Sequence, residues 1–150
     1  MKKRTNKIVI GLMAAVMIWG SVSSTVTCMA NNYKDTKYDF YCNGDGSDWA
    51  TKVRNKEDGS FSYIKSKAGV HLSYQAKAKK GLKAGDFGDP FICDYLTSVR
   101  VIEPNHSLYF PNKCRDSKIY TTYLTLSSSD HKARTYSGVW SPDNCSGYGL

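Results

Sequence analysis

The chain has 150 residues, with 21 Lys and Arg against 13 Asp and Glu, which gives a formal charge of +8. This length supports one hydrophobic core and excludes an assembly of several domains of ordinary size. The positive charge is moderate, so by itself it indicates neither a nucleic-acid-binding nor a membrane-binding protein.

The first 30 residues have the pattern of a secretory signal peptide. Basic residues within the first seven positions precede a nearly uncharged stretch over 8–22, and small and polar residues follow up to Ala30. The apolar stretch contains glycines and is shorter than the roughly 20 residues that a membrane-spanning helix needs. We therefore expect cleavage after Ala30, secretion into the extracellular medium, and a mature chain 31–150 without stable membrane insertion.

Cys28 lies just before the expected cleavage site, in the stretch STVTCMANN. Cleavage after Ala30 places Cys28 and Ala30 at the two positions where signal peptidase prefers small residues. The alternative is a lipoprotein, whose lipid-bearing cysteine follows Gly, Ala or Ser and has an aliphatic residue three positions before it. Because Thr27 and Thr25 occupy those positions, we interpret Cys28 as part of the discarded segment. The mature charge is then 17 minus 13, or +4.

Four cysteines remain in the expected mature chain. An even number in an exported protein indicates two disulfides formed in an oxidising compartment. The spacings lack the close pairs of a zinc site, so we expect no metal there. Three pairings are possible, and we favour Cys93 with Cys114, which closes a hairpin-sized segment, and Cys42 with Cys145, which joins the two ends.

Apolar residues in the mature chain recur with a period of two, in short stretches separated by turn-forming residues. The many Tyr, Thr, Val and Phe residues also favour strands. The pattern predicts an irregular connection over 84–96 and strands near 38–42, 51–55, 61–64, 70–75, 99–102, 120–126 and 133–140. The fold class is therefore all-β: a single secreted domain 31–150, an antiparallel β-sandwich or barrel of about seven or eight short strands, stabilised by disulfides.

The stretch CNGDGSDW places Asp45 and Asp48 among glycines, and carboxylates in such a loop could bind calcium. Counted from Asn43, however, the EF-hand pattern fails, because Asp48 stands where glycine is required and Arg54 where glutamate is required. Asn, Gly, Asp and Ser are also the residues that turns need. We interpret the stretch as a turn and expect no metal and no other cofactor.

No recognisable catalytic motif occurs in the sequence. His71, His106 and His131 are the three histidines. His131 directly follows Asp130, and adjacent residues of an extended chain point to opposite faces, so this pair does not form a relay. Neither GxSxG nor HExxH is present, and bridged cysteines would supply no thiol nucleophile. We therefore expect no enzymatic activity and assign no catalytic residue.

Lysines and tyrosines provide a possible binding surface. KAKKGLK, residues 77–83, could contact an anionic surface or could be a solvated loop whose lysines discourage strand pairing. It contains no aromatic residue on which the bases of a nucleic acid could stack. The tyrosines could form either a recognition surface or part of the core. The candidate residues are Tyr41, Tyr123, Tyr148, Lys77, Lys79, Lys80 and Lys83.

The chain ends in TYSGVWSPDNCSGYGL, in which SPDN predicts a turn after Trp140. SGVWSPDN resembles the ending of a group of small uncharacterised proteins secreted by Gram-positive bacteria, whose plan is also similar over 33–143. The resemblance implies secretion but no particular activity. Some small exported β-proteins are bacteriocins, such as the lactococcin type, from which this chain differs in its greater length and four mature cysteines.

From these features we predict an exported, non-enzymatic binding or interaction module that acts at a cell surface or wall. Its partner would be a surface, wall or glycan ligand and not a nucleic acid. The alternative is a secreted, bacteriocin-like antibacterial toxin that acts on the envelope. Neither prediction identifies the ligand.

Overall fold

The computed structural model describes residues 33–144, which form two antiparallel β-sheets. The strands of this part of the chain are β1 (Thr36–Cys42), β2 (Trp49–Ala50), β3 (Arg54–Asn55), β4 (Phe61–Ser66), β5 (Leu72–Ala78), β6 (Tyr95–Leu96), β7 (Arg100–Ile102), β8 (Ser107–Phe110), β9 (Thr121–Ser128) and β10 (Arg134–Asn144). The helical content of these residues is a single 3-10 turn, Cys114–Ser117. The all-β class is confirmed. The predicted signal peptide, Cys28, Cys145 and Tyr148 lie outside the described residues.

The first sheet has the strand order β1-β10-β4-β8, and the second has the order β2-β9-β5-β6. In the second sheet β3 also pairs with β9, and β7 also pairs with β5. In the first sheet Thr36 pairs with Trp140 and Cys42 with Arg134, so β10 lies between β1 and β4. The last described strand is therefore held on both sides.

The two sheets face each other across one shared core. Tyr38 and Phe40 of β1 belong to the same buried cluster as Leu124 and Leu126 of β9. The Phe40 ring stacks on that of Trp49 in β2, with centroids 5.1 Å apart, and this contact also joins the sheets. Full burial of such side chains contributes about 1.5–3 kcal/mol each. Two antiparallel sheets that share a core are compatible with the predicted sandwich, and residues 33–144 form no closed barrel.

Seven of the strands fall within or beside the predicted ones, and β2, β6 and β8 were not predicted. Two-residue strands such as β2 and β6 are too short for an alternating pattern to be recognised. In β8 only Phe110 is buried, so this strand shows no alternation of buried and exposed residues either. The periodicity therefore identified the strands that carry the core and missed those at the margins.

The turn predicted at SPDN is wrong. Ser141, Pro142 and Asp143 lie within β10 and are buried. The register of β10 against β4 shifts between Ser141 and Asn144. Such an irregularity is one of the places where a sheet tolerates proline, which has no N–H to donate. The carbonyl of Pro142 still accepts a hydrogen bond from the Ser62 hydroxyl at 2.7 Å.

The described cysteines form no disulfide, so the structure does not support the disulfide-stabilised part of the prediction. Cys42, Cys93 and Cys114 are free thiols. Cys114 is fully buried in a small apolar cluster with Ala78 and Ile119, apart from the main core that contains Cys42. Burial raises the pKa of the Cys114 thiol to about 11. Cys114 therefore acts as a small apolar side chain in this structure.

Candidate functional site

A cleft of about 230 Å³ opens between the two sheets beside β1, the edge strand of the first sheet. Its aromatic lining consists of Tyr38, Trp49, Phe87 and Trp140, which come from both sheets and from the connection between β5 and β6. We call this feature the aromatic cleft. Its position follows from the topology, because β1 has a paired neighbour on one side only.

Tyr38 and Trp140 are nearly completely buried and form the inner part of the aromatic cleft. The Tyr38 hydroxyl donates to the carbonyl of Lys65 at 3.2 Å. Tyr38 faces Gly138 across the strand pair, and a Cβ on Gly138 would lie 2.3 Å from the tyrosine oxygen. Glycine at this position is therefore what allows the tyrosine ring to lie across β10.

Arg54 contacts both the ring and the backbone of Trp140. The guanidinium of Arg54 lies 5.5 Å from the centre of the ring, within the range of a cation–π contact. Its Nη1 also donates to the carbonyl of Trp140 at 3.1 Å. This double contact fixes both the ring and the backbone of Trp140, so the inner part of the cleft is preorganised.

Phe87 forms the outer wall of the aromatic cleft and is 73% exposed. Backbone hydrogen bonds hold this wall in place: the N–H of Val53 donates to Asp86 at 2.9 Å, and the N–H of Gly88 donates to Thr51 at 3.2 Å. The Lys52 ammonium lies 5.5 Å from the centre of the Phe87 ring. The exposure of Phe87 is thus imposed by backbone pairing of its segment with residues 51–53.

The rim of the aromatic cleft carries hydrogen-bonding groups, namely Thr36, Lys37, Asp39, Thr51 and Lys52. The Thr51 hydroxyl is already engaged, because it accepts from the N–H of Leu124 at 2.9 Å. The remaining side chains offer a hydroxyl, a carboxylate and two ammonium groups. Ligand pockets are commonly about 300–1,000 Å³, so this cleft suits one ring-sized group of a larger ligand.

A second surface exposes apolar side chains along residues 84–101, which we call the apolar loop. Phe91 is 82% exposed, and Phe87, Ile92, Leu96 and Val99 are also exposed. Several large apolar side chains exposed along one segment are a feature of interaction surfaces. The sequence analysis treated 84–96 only as an irregular connection. The dense group Phe87, Phe91 and Ile92 in a polar loop was the signal that could have identified it.

Two residues of the predicted binding surface lie beneath the apolar loop. Tyr123 is completely buried, and its hydroxyl donates to the carbonyls of Asp89 at 2.8 Å and Ile92 at 3.2 Å. The Lys77 ammonium donates to the carbonyl of Pro90. The prediction that Tyr123 and Lys77 are exposed is wrong, because their strands are covered on both faces, by the core and by this loop.

The other predicted surface residues do not form one site. Tyr41 is exposed on β1 in the first sheet and does not line the aromatic cleft. Lys80 and Lys83 are exposed and Lys79 is half-buried, and all three follow β5 in the second sheet. The N–H of Lys80 donates to Asp94 at 2.6 Å, which places these lysines beside the apolar loop. Tyr148 lies outside the described residues.

The loop with Asp45 and Asp48 forms a turn, in which Asp45 accepts a hydrogen bond from the N–H of Ser47 at 2.8 Å. Asp130 pairs with Arg134 at 2.7 Å instead of with His131. Within residues 33–144 no group of three or more His, Cys, Asp or Glu side chains could hold a metal ion. No helix in the same range is long and apolar enough to cross a membrane.

Comparison with known proteins gives one finding. The sequence model of a family described as "Protein of unknown function (DUF2712)" matches residues 25–144. No curated protein and no solved structure matches the chain. The matched range includes every strand of both sheets and the SGVWSPDN stretch.

Proposed function

The chain belongs to the DUF2712 family of proteins of unknown function, and on that premise we propose that it is an exported, non-enzymatic module that binds its ligand in the aromatic cleft. The ligand class we propose is a glycan of a cell surface or wall. The observation that carries the proposal is the cleft itself, where exposed Phe87 and half-buried Trp49 stand opposite a polar rim. Export is supported by the signal-peptide pattern of residues 1–30.

The chemistry of the aromatic cleft favours a sugar ring over an entirely apolar or an entirely ionic ligand. A sugar ring has a face of C–H groups that can pack on aromatic rings, and hydroxyl groups around its edge that need donors and acceptors. Thr36, Asp39 and Lys52 at the rim can supply both. A ligand of high charge is disfavoured, because the rim presents both a carboxylate and ammonium groups.

Retention of the mature chain 31–150 on purified bacterial walls and on immobilised wall glycans, at micromolar protein and physiological salt, tests this proposal. Phe87→Ala should reduce retention strongly, because it removes the outer aromatic wall of the cleft, and truncation of an aromatic hot spot costs about 2 kcal/mol or more. Phe91→Ala is the matched control: this ring is on the same loop and is also largely exposed, but it does not line the cleft. No retention, or equal losses in both variants, would count against the cleft.

A second candidate function, a secreted antibacterial toxin that acts on the envelope, is favoured by the apolar loop. Phe91 and Ile92 are exposed, and Lys80 and Lys83 lie on the adjoining segment. Apolar side chains flanked by lysines suit the interface of a membrane with anionic headgroups. Binding to anionic but not zwitterionic vesicles, lost in Phe91→Ser, together with killing of bacteria by the purified protein, would support this function. Unharmed bacteria would exclude it.

A further inference from the structure

Two oppositely charged side chains are buried together at one place in the domain. Lys56 and Asp143 both have completely buried side chains, and Nζ of Lys56 lies 2.6 Å from Oδ1 of Asp143. Their residues are 87 positions apart in the sequence. Lys56 directly follows β3, which pairs in the second sheet, whereas Asp143 belongs to β10 of the first sheet. The contact therefore connects the two sheets.

The surroundings of this pair orient both groups. Lys56 Nζ also donates to the carbonyl of Ser60 at 2.5 Å. The second carboxylate oxygen of Asp143, Oδ2, accepts a hydrogen bond from the N–H of Glu57 at 2.9 Å. A further carboxylate, Asp58, has its Oδ1 3.9 Å from the same Nζ. The lysine thus meets one carboxylate at contact distance and another close by.

Removal of two charges from water costs several kcal/mol for each ion, and mutual attraction seldom returns much more than that. An ammonium beside a carboxylate contains the same atoms as an amine beside a carboxylic acid. These are the two reactants of amide formation, held at contact distance.

We propose that Lys56 and Asp143 are joined by an intramolecular isopeptide bond. Nζ attacks Cγ of Asp143, the Nζ–Cγ bond forms, and the Cγ–Oδ1 bond breaks. Two of the three protons of the original ammonium group leave with Oδ1 as water, and the third remains on the amide nitrogen. The overall change is ammonium plus carboxylate to amide plus water, so no oxidant, reductant or cofactor is consumed.

The neighbouring groups match the requirements of this step. The Glu57 N–H at Oδ2 stabilises the negative charge that develops on the oxygen retained by the amide. Asp58, whose Oδ1 lies 3.9 Å from Nζ, is the neighbouring carboxylate that can accept a proton from the attacking nitrogen. The Asp58 side chain is 28% exposed, so the released water has a path to solvent.

Proximity of the two groups lowers the barrier to amide formation. Well-oriented groups in one molecule react as if present at about 10⁵–10⁸ M, which corresponds to roughly 7–11 kcal/mol of the barrier. The bond would join the segment after β3 to the end of β10 and close a loop that contains most of the domain. A cross-link of this kind stabilises mainly by restricting the unfolded chain, as a disulfide does, but it cannot be reduced.

Mass spectrometry of the folded, purified full chain tests the proposal, after reduction and alkylation of the cysteines and tryptic digestion. We expect a branched peptide that joins the segment containing Lys56 to the segment containing Asp143, lighter than the sum of its two parts by one water. Trypsin should not cleave after Lys56. Ring closure at Asp58 and Gly59 would also release one water, but it leaves two linear peptides, so the branched peptide distinguishes the two reactions.

Three variants complete the test. Lys56→Arg retains the charge without the nucleophilic amine, and it should give no branched peptide. Asp143→Asn should form the same bond with loss of ammonia in place of water. Asp58→Asn should reduce the branched fraction in protein whose circular dichroism is unchanged. If the wild-type folded chain yields only the two linear peptides, Lys56 and Asp143 are an ion pair and the proposal is wrong.

Discussion

Two regions of the domain reverse the usual distribution of polar and apolar groups, and they do so in opposite directions. At the sheet junction, Lys56 and Asp143 bury an amine and a carboxyl group together, and both carry a full charge before the proposed amide forms. At the apolar loop, Phe87 and Phe91 place aromatic rings in solvent. Buried charges and large exposed apolar areas are the informative departures in a soluble protein, whereas single exposed apolar residues are ordinary.

The difference between the regions lies in what holds them. The charges at the junction are held by each other, since Asp143 contacts both Lys56 and the backbone of Glu57. The exposed rings of the apolar loop are held by buried anchors that the loop covers, Tyr123 and Lys77. The junction therefore stabilises the domain, whereas the loop exposes its aromatic rings to solvent.

The largest expected effect comes from breaking the junction. Lys56→Met leaves Asp143 buried without its partner, which should lower the free energy of unfolding by about 3–5 kcal/mol, and loss of the proposed cross-link should add to this. The urea midpoint of the variant measures this loss. Lys65→Met, at an exposed lysine of β4, is the control and should stay within about 0.5 kcal/mol of the parent. A double variant Lys56→Met with Asp143→Leu removes the uncompensated charge and should recover only the part of the loss that this charge causes, because the cross-link is absent from both variants.

The next largest effect is expected from a substitution that disturbs the packing of the apolar loop on Tyr123. A Cβ on Gly88 would lie 2.3 Å from the ring of Tyr123, so Gly88→Ala must displace either the loop or the ring. Overpacking of this kind typically costs about 1–3 kcal/mol. Gly59→Ala is the matched control, because a Cβ there meets nothing within 4 Å. Equal denaturation midpoints for the two variants would show that the loop does not rest on Tyr123.

Alkaline pH should lower the free energy of unfolding, because the buried tyrosines and Cys114 resist deprotonation in the folded state. Burial raises the pKa of Tyr74 and that of Tyr123 to about 12, from an ordinary value of 10, and the pKa of Cys114 to about 11, from 9. The unfolded chain releases these protons first, so stability is complete below about pH 9 and falls as pH rises towards 12.

Tyr74→Phe provides the control for this pH dependence. The Tyr74 hydroxyl is buried and has no hydrogen-bond partner among the described residues, so its removal should cost little at neutral pH. The variant should show a shallower alkaline decline of the free energy of unfolding than the parent. The same slope in both proteins would mean that Tyr74 does not contribute to the decline.

The smallest effect on stability is expected at the tip of the apolar loop. Phe91→Ser should change the free energy of unfolding by no more than about 0.5 kcal/mol, because the ring is mostly in solvent already. It should nevertheless reduce binding of an apolar fluorescent dye to the folded protein. A large loss of stability would show that Phe91 is a structural residue and would remove the contrast with the junction.

Sequence periodicity was sufficient for the fold class. In β1 the buried residues Tyr38, Phe40 and Cys42 alternate with exposed ones, as expected for a strand with one solvated face. In β9 the same reasoning failed at Tyr123, because five consecutive residues from Thr122 to Leu126 are buried. Alternation cannot identify the solvent face of a strand that has none.

The candidate sites depend on contacts between distant residues, which one sequence does not specify. Phe87 reaches the aromatic cleft because its segment pairs with residues 51–53. In the sequence, SPDN predicts a turn that contains Asp143. Only the structure shows that Asp143 is buried beside Lys56. Local patterns therefore predicted strands and missed the sites, since pairings at such separation are set by the whole topology.

Tryptophan fluorescence provides the most direct test of the proposed binding function. Trp49 and Trp140 are the two tryptophans of residues 31–150, and both line the aromatic cleft. Soluble fragments of wall glycan, added at physiological salt, should produce a saturable change in emission in the parent and in Phe91→Ala. In Phe87→Ala the affinity should fall at least about tenfold, which corresponds to about 1.4 kcal/mol. No saturable change in the parent, or an unaltered affinity in Phe87→Ala, would contradict binding in the cleft.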